Sequence, residues 1–443
     1  MFQDLKLDKR LLRALEERGF TQPTPIQAKV FSVVMSGADV CGIAQTGTGK
    51  TIAYLLPLLN QWKYDKLRDP QILVLVPTRE LVLQVTEEVQ QLCTYLGATV
   101  MGIWGGVNIN TQKLQLEQGY DVLVATPGRF FDLAMAGAFK VRSVRKLVID
   151  EVDEMLHLGF RAQLKNILDL LPPRRQNLLF SATLIEEVEA LFDEYFGELK
   201  RVEAAPAGTP VEQVTQRAYE VPNFHTKVNL LKLLLKEDES MERVVVFTAS
   251  RKMADTLHEL IEPEFPGTVG LIHSNKEQNH RFNTVARFKD GTYRVLIATD
   301  IVARGIDITG VTHVVNFDLP ELPEHYIHRI GRTGRAEERG TALTFVTGRD
   351  AETRSALEAF LGGPLQLLAL PEGLEISEVL TDEEQPKVYM KELSAAPKKK
   401  EEGGAAFHEK SAKNQKVNKV ISRKDRMMQK YGKPIKRGAK KKR

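Results

Sequence analysis

Short runs of consecutive apolar residues, each followed by a helical pattern, recur along this chain and leave it few folds to adopt. Val40-Cys-Gly-Ile43 and Ile72-Leu-Val-Leu-Val76 are of this kind, and residues 99–103, 122–125, 146–149 and 177–180 are similar, three of them after a polar first residue. None shows the in-out alternation of a sheet with one wet face. Uninterrupted apolar strands are buried on both sides, which calls for a parallel sheet with helices on both faces. Around Glu203-Ala-Ala-Pro-Ala-Gly-Thr-Pro210 the pattern stops, and small residues, Pro and Gly mark a linker. It then resumes at residues 243–247, 294–298, 312–317 and 341–346. The reading is therefore an α/β chain of two domains, residues 1–204 and 213–376, with a linker at 205–212 and a tail over 377–443.

The length of 443 residues agrees with that count, and 42% hydrophobic with 27% charged residues is the composition of a chain with ample core. Two cysteines, Cys41 and Cys93, exclude a disulfide framework and point to a reducing compartment. The nine histidines are scattered and no C-x-x-C occurs, so no structural zinc site is expected. No apolar run approaches a membrane span, and Met1-Phe-Gln-Asp-Leu-Lys has no signal-peptide core. The net charge of +4 hides an asymmetry. Residues 387–443 carry 20 Lys/Arg and 5 Asp/Glu, a net of +15, which leaves −11 on the remainder. Such a tail is expected to be disordered when free and to seek a polyanion, with a short helix over 422–431 on binding.

The first apolar run leads into Ala44-Gln45-Thr46-Gly47-Thr48-Gly49-Lys50-Thr51, and a helical pattern follows. Strand, glycine loop and helix start together form a phosphate cradle. Glycines let backbone N–H groups turn inward, Lys50 supplies a point charge, and the Thr51 hydroxyl is placed to ligate Mg²⁺. Ala44 stands where the first Gly of G-x-x-x-x-G-K-[ST] is expected. The second half of the chain has no such loop. A nucleotide-hydrolysing site also needs acids at the end of a neighbouring buried strand. Asp150-Glu151-Val152-Asp153, directly after residues 146–149, supplies them: Asp150 for Mg²⁺ and Glu151 to polarise the attacking water.

The loop, the acidic motif, Ser181-Ala-Thr183 and His328-Arg-Ile-Gly-Arg-Thr-Gly-Arg335 occur in the order and spacing of the DEAD-box ATP-dependent RNA helicases, and the resemblance spans roughly residues 2–364. It implies two tandem RecA-like domains, with ATP and Mg²⁺ as cofactors and RNA as partner. Gly19-Phe20-Thr-Gln-Pro23-Thr-Pro25-Ile26-Gln27 resembles the family's Q motif, so Gln27 would read adenine and Phe2 would stack on it, with Phe20 beside them. Arg332 and Arg335 would be arginine fingers on the γ-phosphate, and His328 would contact the acidic motif. Three arginines at a spacing of three would share one face of a helix. Asp307 would reach the ribose, while Asp153, Ser181 and Thr183 would couple the acids to the RNA-bound state. RNA contacts would come from Pro77, Thr78, Arg79, Gly105, Gly106, Thr126, Pro127, Gly128, Arg129 and Thr299, a set that grips backbone rather than bases. Gln278 and Arg281 fit the family's Q-x-x-R pattern.

Two positions depart from the family. Val152 stands in place of its Ala, and Ser274 in place of a Gly after His273. Chemistry should survive both, while coupling and one RNA contact are in question. The expected activity is RNA-stimulated ATP hydrolysis with local unwinding of short duplexes, by a cytoplasmic monomer acting on RNA or ribonucleoprotein particles. Ribosome biogenesis is among its candidate roles. An ATP-gated clamp that unwinds little shares the same motifs, and Gln27 argues against a translocating DNA helicase.

Overall fold

The computed structural model describes residues 1–44, 48–184, 186–203, 214–300, 310–334 and 339–385. Residues up to Gln385 form one compact unit. The expected linker at 205–212 and the tail from 386 onward lie outside the described residues.

The first lobe holds strands β1 (Val40–Ile43), β2 (Ile72–Leu75), β3 (Val100–Ile103), β4 (Val122–Ala125), β5 (Lys146–Ile149), β6 (Gln176–Ser181) and β7 (Lys200–Glu203). They form one sheet in the order β3-β4-β2-β5-β6-β1-β7. The second lobe holds β8 (Val214–Glu220), β9 (Val244–Thr248), β10 (Val269–Ile272), β11 (Val295–Thr299), β12 (His313–Asn316), β13 (Gly340–Val346) and β14 (Leu367–Leu368), in the order β10-β11-β9-β12-β13-β8-β14. Every pairing in both sheets is parallel. Tandem RecA-like lobes are thus the observed architecture.

The apolar runs feed two cores at once. Ile72 and Val74 of β2 join one buried cluster, with Val122, Val124 and Phe180, while Leu73 and Leu75 join another, with Leu123, Ile149 and Leu179. Alternation along the strand is therefore present, but both faces are dry. Of the strands that the sequence reading passed over, β10 is a buried apolar run, Val-Gly-Leu-Ile, like those it recognised, while β7, β8 and β14 carry little or no such run. β7 is an edge strand, Lys-Arg-Val-Glu, of which only Val202 is buried. β8 reads Val-Thr-Gln-Arg-Ala-Tyr-Glu, with four of its seven residues at least partly exposed, beside the two-residue edge strand β14.

Parallel pairing collects the carboxyl ends of the strands on one side of each sheet, where ligands of open α/β sheets bind. The loops after β1, β2, β3, β4, β5, β6 and β11 carry most of the candidate residues. One segment departs from the expected domain plan. Residues 377–385, read as the beginning of the tail, are fastened to the second lobe. Ser377 N donates to Thr226 Oγ1 at 3.1 Å, Phe224 N to Glu384 Oε1 at 2.7 Å, and an Arg349 N–H to Glu383 O at 2.6 Å. The acidic Thr-Asp-Glu-Glu stretch looks like linker in composition, and its return to the helix Phe224–Glu237 and to Arg349 gives it partners.

Candidate functional site

The helix Lys50–Asn60 begins where β1 and its loop end. Its N-cap, Gly49, has φ +86°, and a Cβ there would lie 2.4 Å from Gln27 Nε2, so glycine is required twice over. Gln27 is buried and both ends of its amide are engaged. Oε1 accepts from Thr24 N at 2.9 Å in a capping box, and Nε2 donates to Gly49 O at 3.2 Å. Thr24 Oγ1 donates to Thr48 O at 2.9 Å. The Q-motif helix is thereby tied to the phosphate loop itself. Phe2 is buried in the core of the first lobe, and with Phe20 it lines a cavity of about 210 Å³. Gln45, Thr46 and Gly47 lie outside the described residues.

Lys50 Nζ is buried and has no hydrogen-bond partner among the described residues. A buried, unpartnered ammonium is costly unless an anion comes to it. Asp150, Glu151 and Asp153 are its charged neighbours. Asp150 follows β5, accepts from Glu151 N at 2.9 Å and from the Tyr54 hydroxyl at 3.1 Å, and is buried. Burial raises its pKa, against the pull of Lys50 and these two donors. Glu151 is N-cap of the helix Val152–His157 with φ +51°, one of three described non-glycine residues in the left-handed region. Backbone strain of this kind gathers at functional positions. Burial pushes the Glu151 carboxyl up to about 7, with Lys50 and Arg332 acting against it and Asp150 with it.

Asp153 is the hub between acids and second lobe. Its Oδ2 accepts from Ala182 N at 3.2 Å, Thr183 N at 3.1 Å and Thr183 Oγ1 at 2.9 Å, and His328 Nε2 of the second lobe lies 3.8 Å away. Burial opposes its charge, yet the charges of His328 and Lys50 and the Thr183 hydroxyl hold its pKa below the usual value. Ser181 Oγ donates to Thr183 O at 2.6 Å and shapes that turn. Val152 is fully buried in the apolar cluster under β5 and β6, pointing away from this lattice. Its two extra methyls therefore leave the Asp153 bonds in place.

The second lobe also meets the first through residues 79–80 and the helix Gln278–Lys289. Arg79 Nη1 donates to Gln278 Oε1 at 2.6 Å, and Arg281 pairs with Glu80 at 2.9 Å. Arg329 and Arg332, the two described arginines of this motif, do not share a helix face. The helix Pro323–Ile330 stops before Gly331, and Thr333 turns off to pair with Val311 beside β12. Arg329 is instead a core residue: its Nε and Nη2 hold Asp300 at 2.6 and 2.7 Å, and its Nη1 reaches Asp318 O at 2.6 Å. Arg332 lies in the turn after the helix, is buried, and is close enough for its charge to act on Glu151. Arg335 and Asp307 lie outside the described residues.

Residues 24–191 match the DEAD/DEAH box helicase family, and residues 226–337 match the helicase conserved C-terminal domain. The DEAD-box ATP-dependent RNA helicase CshA of Geobacillus kaustophilus is 39% identical over 349 residues, 79% of this chain and 74% of that one. This chain belongs to the DEAD-box helicases. In structure it is similar to S. cerevisiae Dbp5 bound to RNA and ADP BeF3, with a TM-score of 0.75 at 29% identity over 83% of this chain and 95% of that one. Mss116p bound to ssRNA and AMP-PNP gives a TM-score of 0.76 at 26% identity over 84% and 80%.

The loops that a DEAD-box helicase would turn to RNA are at hand, though not all as expected. Gly105 and Gly106 are exposed, Thr126, Thr78 and Gly128 are partly exposed, and Pro127, Pro77 and Thr299 are buried. Arg129 is occupied inside the lobe: Nη1 donates to Gln112 Oε1 at 2.6 Å and Nη2 to Val107 O at 2.9 Å. It shapes the loop after Gly105-Gly106 in place of projecting from it. Ser274 is exposed on the wall of the cleft between the lobes. Sequence reasoning missed Tyr54, whose place one helical turn after Lys50 was the available signal, and Glu80, whose partner comes from the other lobe.

Proposed function

We propose that this DEAD-box helicase hydrolyses ATP when its lobes close on RNA, and that closure pries apart short duplexes or remodels ribonucleoprotein particles. The observation that carries this reading is the unpartnered Lys50 beside Asp150 and Glu151, in a site that His328 and Arg332 complete from the second lobe. Lys50 and the helix N-terminus behind it receive the β- and γ-phosphates. Arg332, and Arg335 by its place in the same motif, meet the charge that grows on the γ-phosphoryl group. Glu151 orients the attacking water and takes its proton, a task suited to a carboxyl near neutrality. Thr51 and Asp150 fit Mg²⁺, since both offer oxygen only, and the ion would neutralise phosphate charge.

Asp153 relays RNA occupancy to the acids through Thr183, Ser181 and His328. Thr78, Gly105, Gly106, Thr126 and Thr299 grip the sugar–phosphate backbone without reading bases. Gln27 positions the phosphate loop as well as adenine, and Phe2 and Phe20 lie on the adenine side. The basic tail tethers RNA, and a cytoplasmic monomer serving ribosome assembly is the setting this suits. No described helix is long and apolar enough to cross a membrane.

The test is ATP turnover with and without single-stranded RNA, together with strand displacement on a short duplex. Turnover that ignores RNA overturns the reading. RNA-stimulated turnover without displacement identifies a clamp, a variant that the packing of Val152 does not favour. Deleting the residues after Gln385 should flatten the salt dependence of RNA binding by about 0.7 in slope for each phosphate that the tail had neutralised.

A further inference from the structure

Besides the proposed ATP site, the cleft between the lobes brings together a set of side chains that the proposed reaction does not use. Glu154 and His157 stand three residues apart on the helix Val152–His157 of the first lobe, and so share a face. His325 comes from the helix Pro323–Ile330 of the second lobe. One ligating atom from each lies within 4.8 Å of the other two. The rings of His157 and His325 meet edge to face, with centroids 5.3 Å apart. All three line an open cavity of about 460 Å³ between the lobes.

We infer that Glu154, His157 and His325 form a binding site for a borderline-soft divalent cation of the zinc class, which bridges the two lobes. A Glu-x-x-His step on one helix face is a spacing that presents a carboxylate and an imidazole to a single ion. Zinc bonds of about 2.0–2.1 Å set tetrahedral ligands roughly 3.3 Å apart, so the three atoms close in by up to about 1.5 Å when the ion binds. The cavity leaves room for water as a fourth ligand. Two imidazoles and one carboxylate suit zinc, cobalt or nickel and are poor donors for magnesium, which prefers oxygen. The site is therefore chemically separate from the one at Thr51 and Asp150. Because its ligands come from both lobes, the ion binds the closed form alone and stabilises it by mass action. It acts as a brake on turnover, and this last step rests on the proposed need of the lobes to reopen. No spacing in the sequence announces the site, since 167 residues separate His157 from a His325 that lies on another domain.

The test uses the full chain, stripped of metal and held closed with RNA, Mg²⁺ and a non-hydrolysable ATP analogue. Cobalt is titrated and its visible d–d absorption followed. One equivalent should bind with the intense bands of a tetrahedral site, and His157→Ala and His325→Ala should each weaken binding at least about tenfold. Equal cobalt affinity in the wild type and both variants, or no stoichiometric binding, overturns the site. In steady state, zinc should slow RNA-stimulated turnover of the wild type and leave His325→Ala unaffected, while the two proteins turn over equally without zinc. Equal inhibition of both overturns the brake. Absence of RNA-stimulated turnover in every protein would strike the proposed function, and the cobalt titration would still judge the site.

Discussion

The two lobes have the same topology and opposite fates. Counted from its own first strand, each sheet runs third, fourth, second, fifth, sixth, first, seventh. In the first lobe six residues, 44–49, join the first strand to its helix, while in the second only residues 221–223 do so. Each lobe then offers a lysine from that helix and an aspartate after its fifth strand. Lys50 is unpartnered near Asp150, whereas Lys227 Nζ donates to Asp318 Oδ1 at 3.1 Å, both side chains being nearly buried. At the N-terminus of the helix Phe224–Glu237, the Glu384 carboxylate accepts Phe224 N where the first lobe would hold a phosphate. The fold thus supplies a cation, an acid and a helix N-terminus twice. A long glycine loop leaves them open to a ligand in one lobe, and internal neutralisation closes them in the other.

Lysine replacement separates the lobes most sharply. Lys50→Ala should lower RNA-stimulated ATP turnover by about 10²–10³, the loss expected for one preorganised donor to a developing charge. Lys227→Ala should leave turnover near wild type at low temperature and instead destabilise the protein by about 3–5 kcal/mol, because Asp318 is left buried and uncompensated. Turnover assays and urea denaturation read the two effects. Similar losses of turnover in both variants would mean that the second-lobe pair takes part in the reaction.

The acids differ in the same sense, and pH exposes it. Without nucleotide or Mg²⁺, Glu151 titrates at about 7 in the folded chain against 4.5 when unfolded. A raised value means that the folded state holds the proton more tightly, so its stabilisation is complete below pH 4.5 and is lost as pH rises through about 7. Glu151→Gln carries no such charge. It should melt like the wild type at pH 4 and be more stable at pH 8, by at most about 3 kcal/mol, while turnover falls about 10²–10⁴. A stability difference independent of pH would show that Glu151 is charged in the ligand-free site.

The sequence exposed what depends on local pattern. β2 and β4 are uninterrupted apolar runs, β5 is one after its first residue, Lys146, and Asp150 and Glu151 sit directly at a strand end, so their place in the sheet followed from spacing alone. What it concealed depends on partners brought from afar. Arg329 and Arg332 stand three apart in one motif, but Gly331 ends the helix between them, and Asp300 draws one into the core while the other stays at the acids. Arg129 reads as an RNA contact until Gln112 and Val107 O take its guanidinium. Residues 377–385 read as tail because an acidic turn gains meaning only from distant partners, the helix N-terminus at Phe224 and the Arg349 side chain.

That cap gives the smallest effect and the finest test of the comparison. Glu384 Oε1 accepts Phe224 N, while Oε2 accepts Thr381 N at 2.9 Å and its hydroxyl at 3.0 Å, so one carboxylate both folds its own turn and faces a helix N-terminus. A carboxylate at that position stabilises by about 0.3–1 kcal/mol when partly exposed. Glu384→Ala should therefore cost about 1 kcal/mol, and Glu384→Gln less, since it keeps an acceptor and loses the charge. Truncation after Gln385 should leave the melting temperature unchanged, whereas truncation after Ile376 should lower it at least as far as Glu384→Ala does. Full stability in Glu384→Ala would mean that the second helix N-terminus needs no anion of its own. Loop length, the Asn223 side chain on Thr226 N and the Lys227–Asp318 pair would then keep a phosphate out of the second lobe.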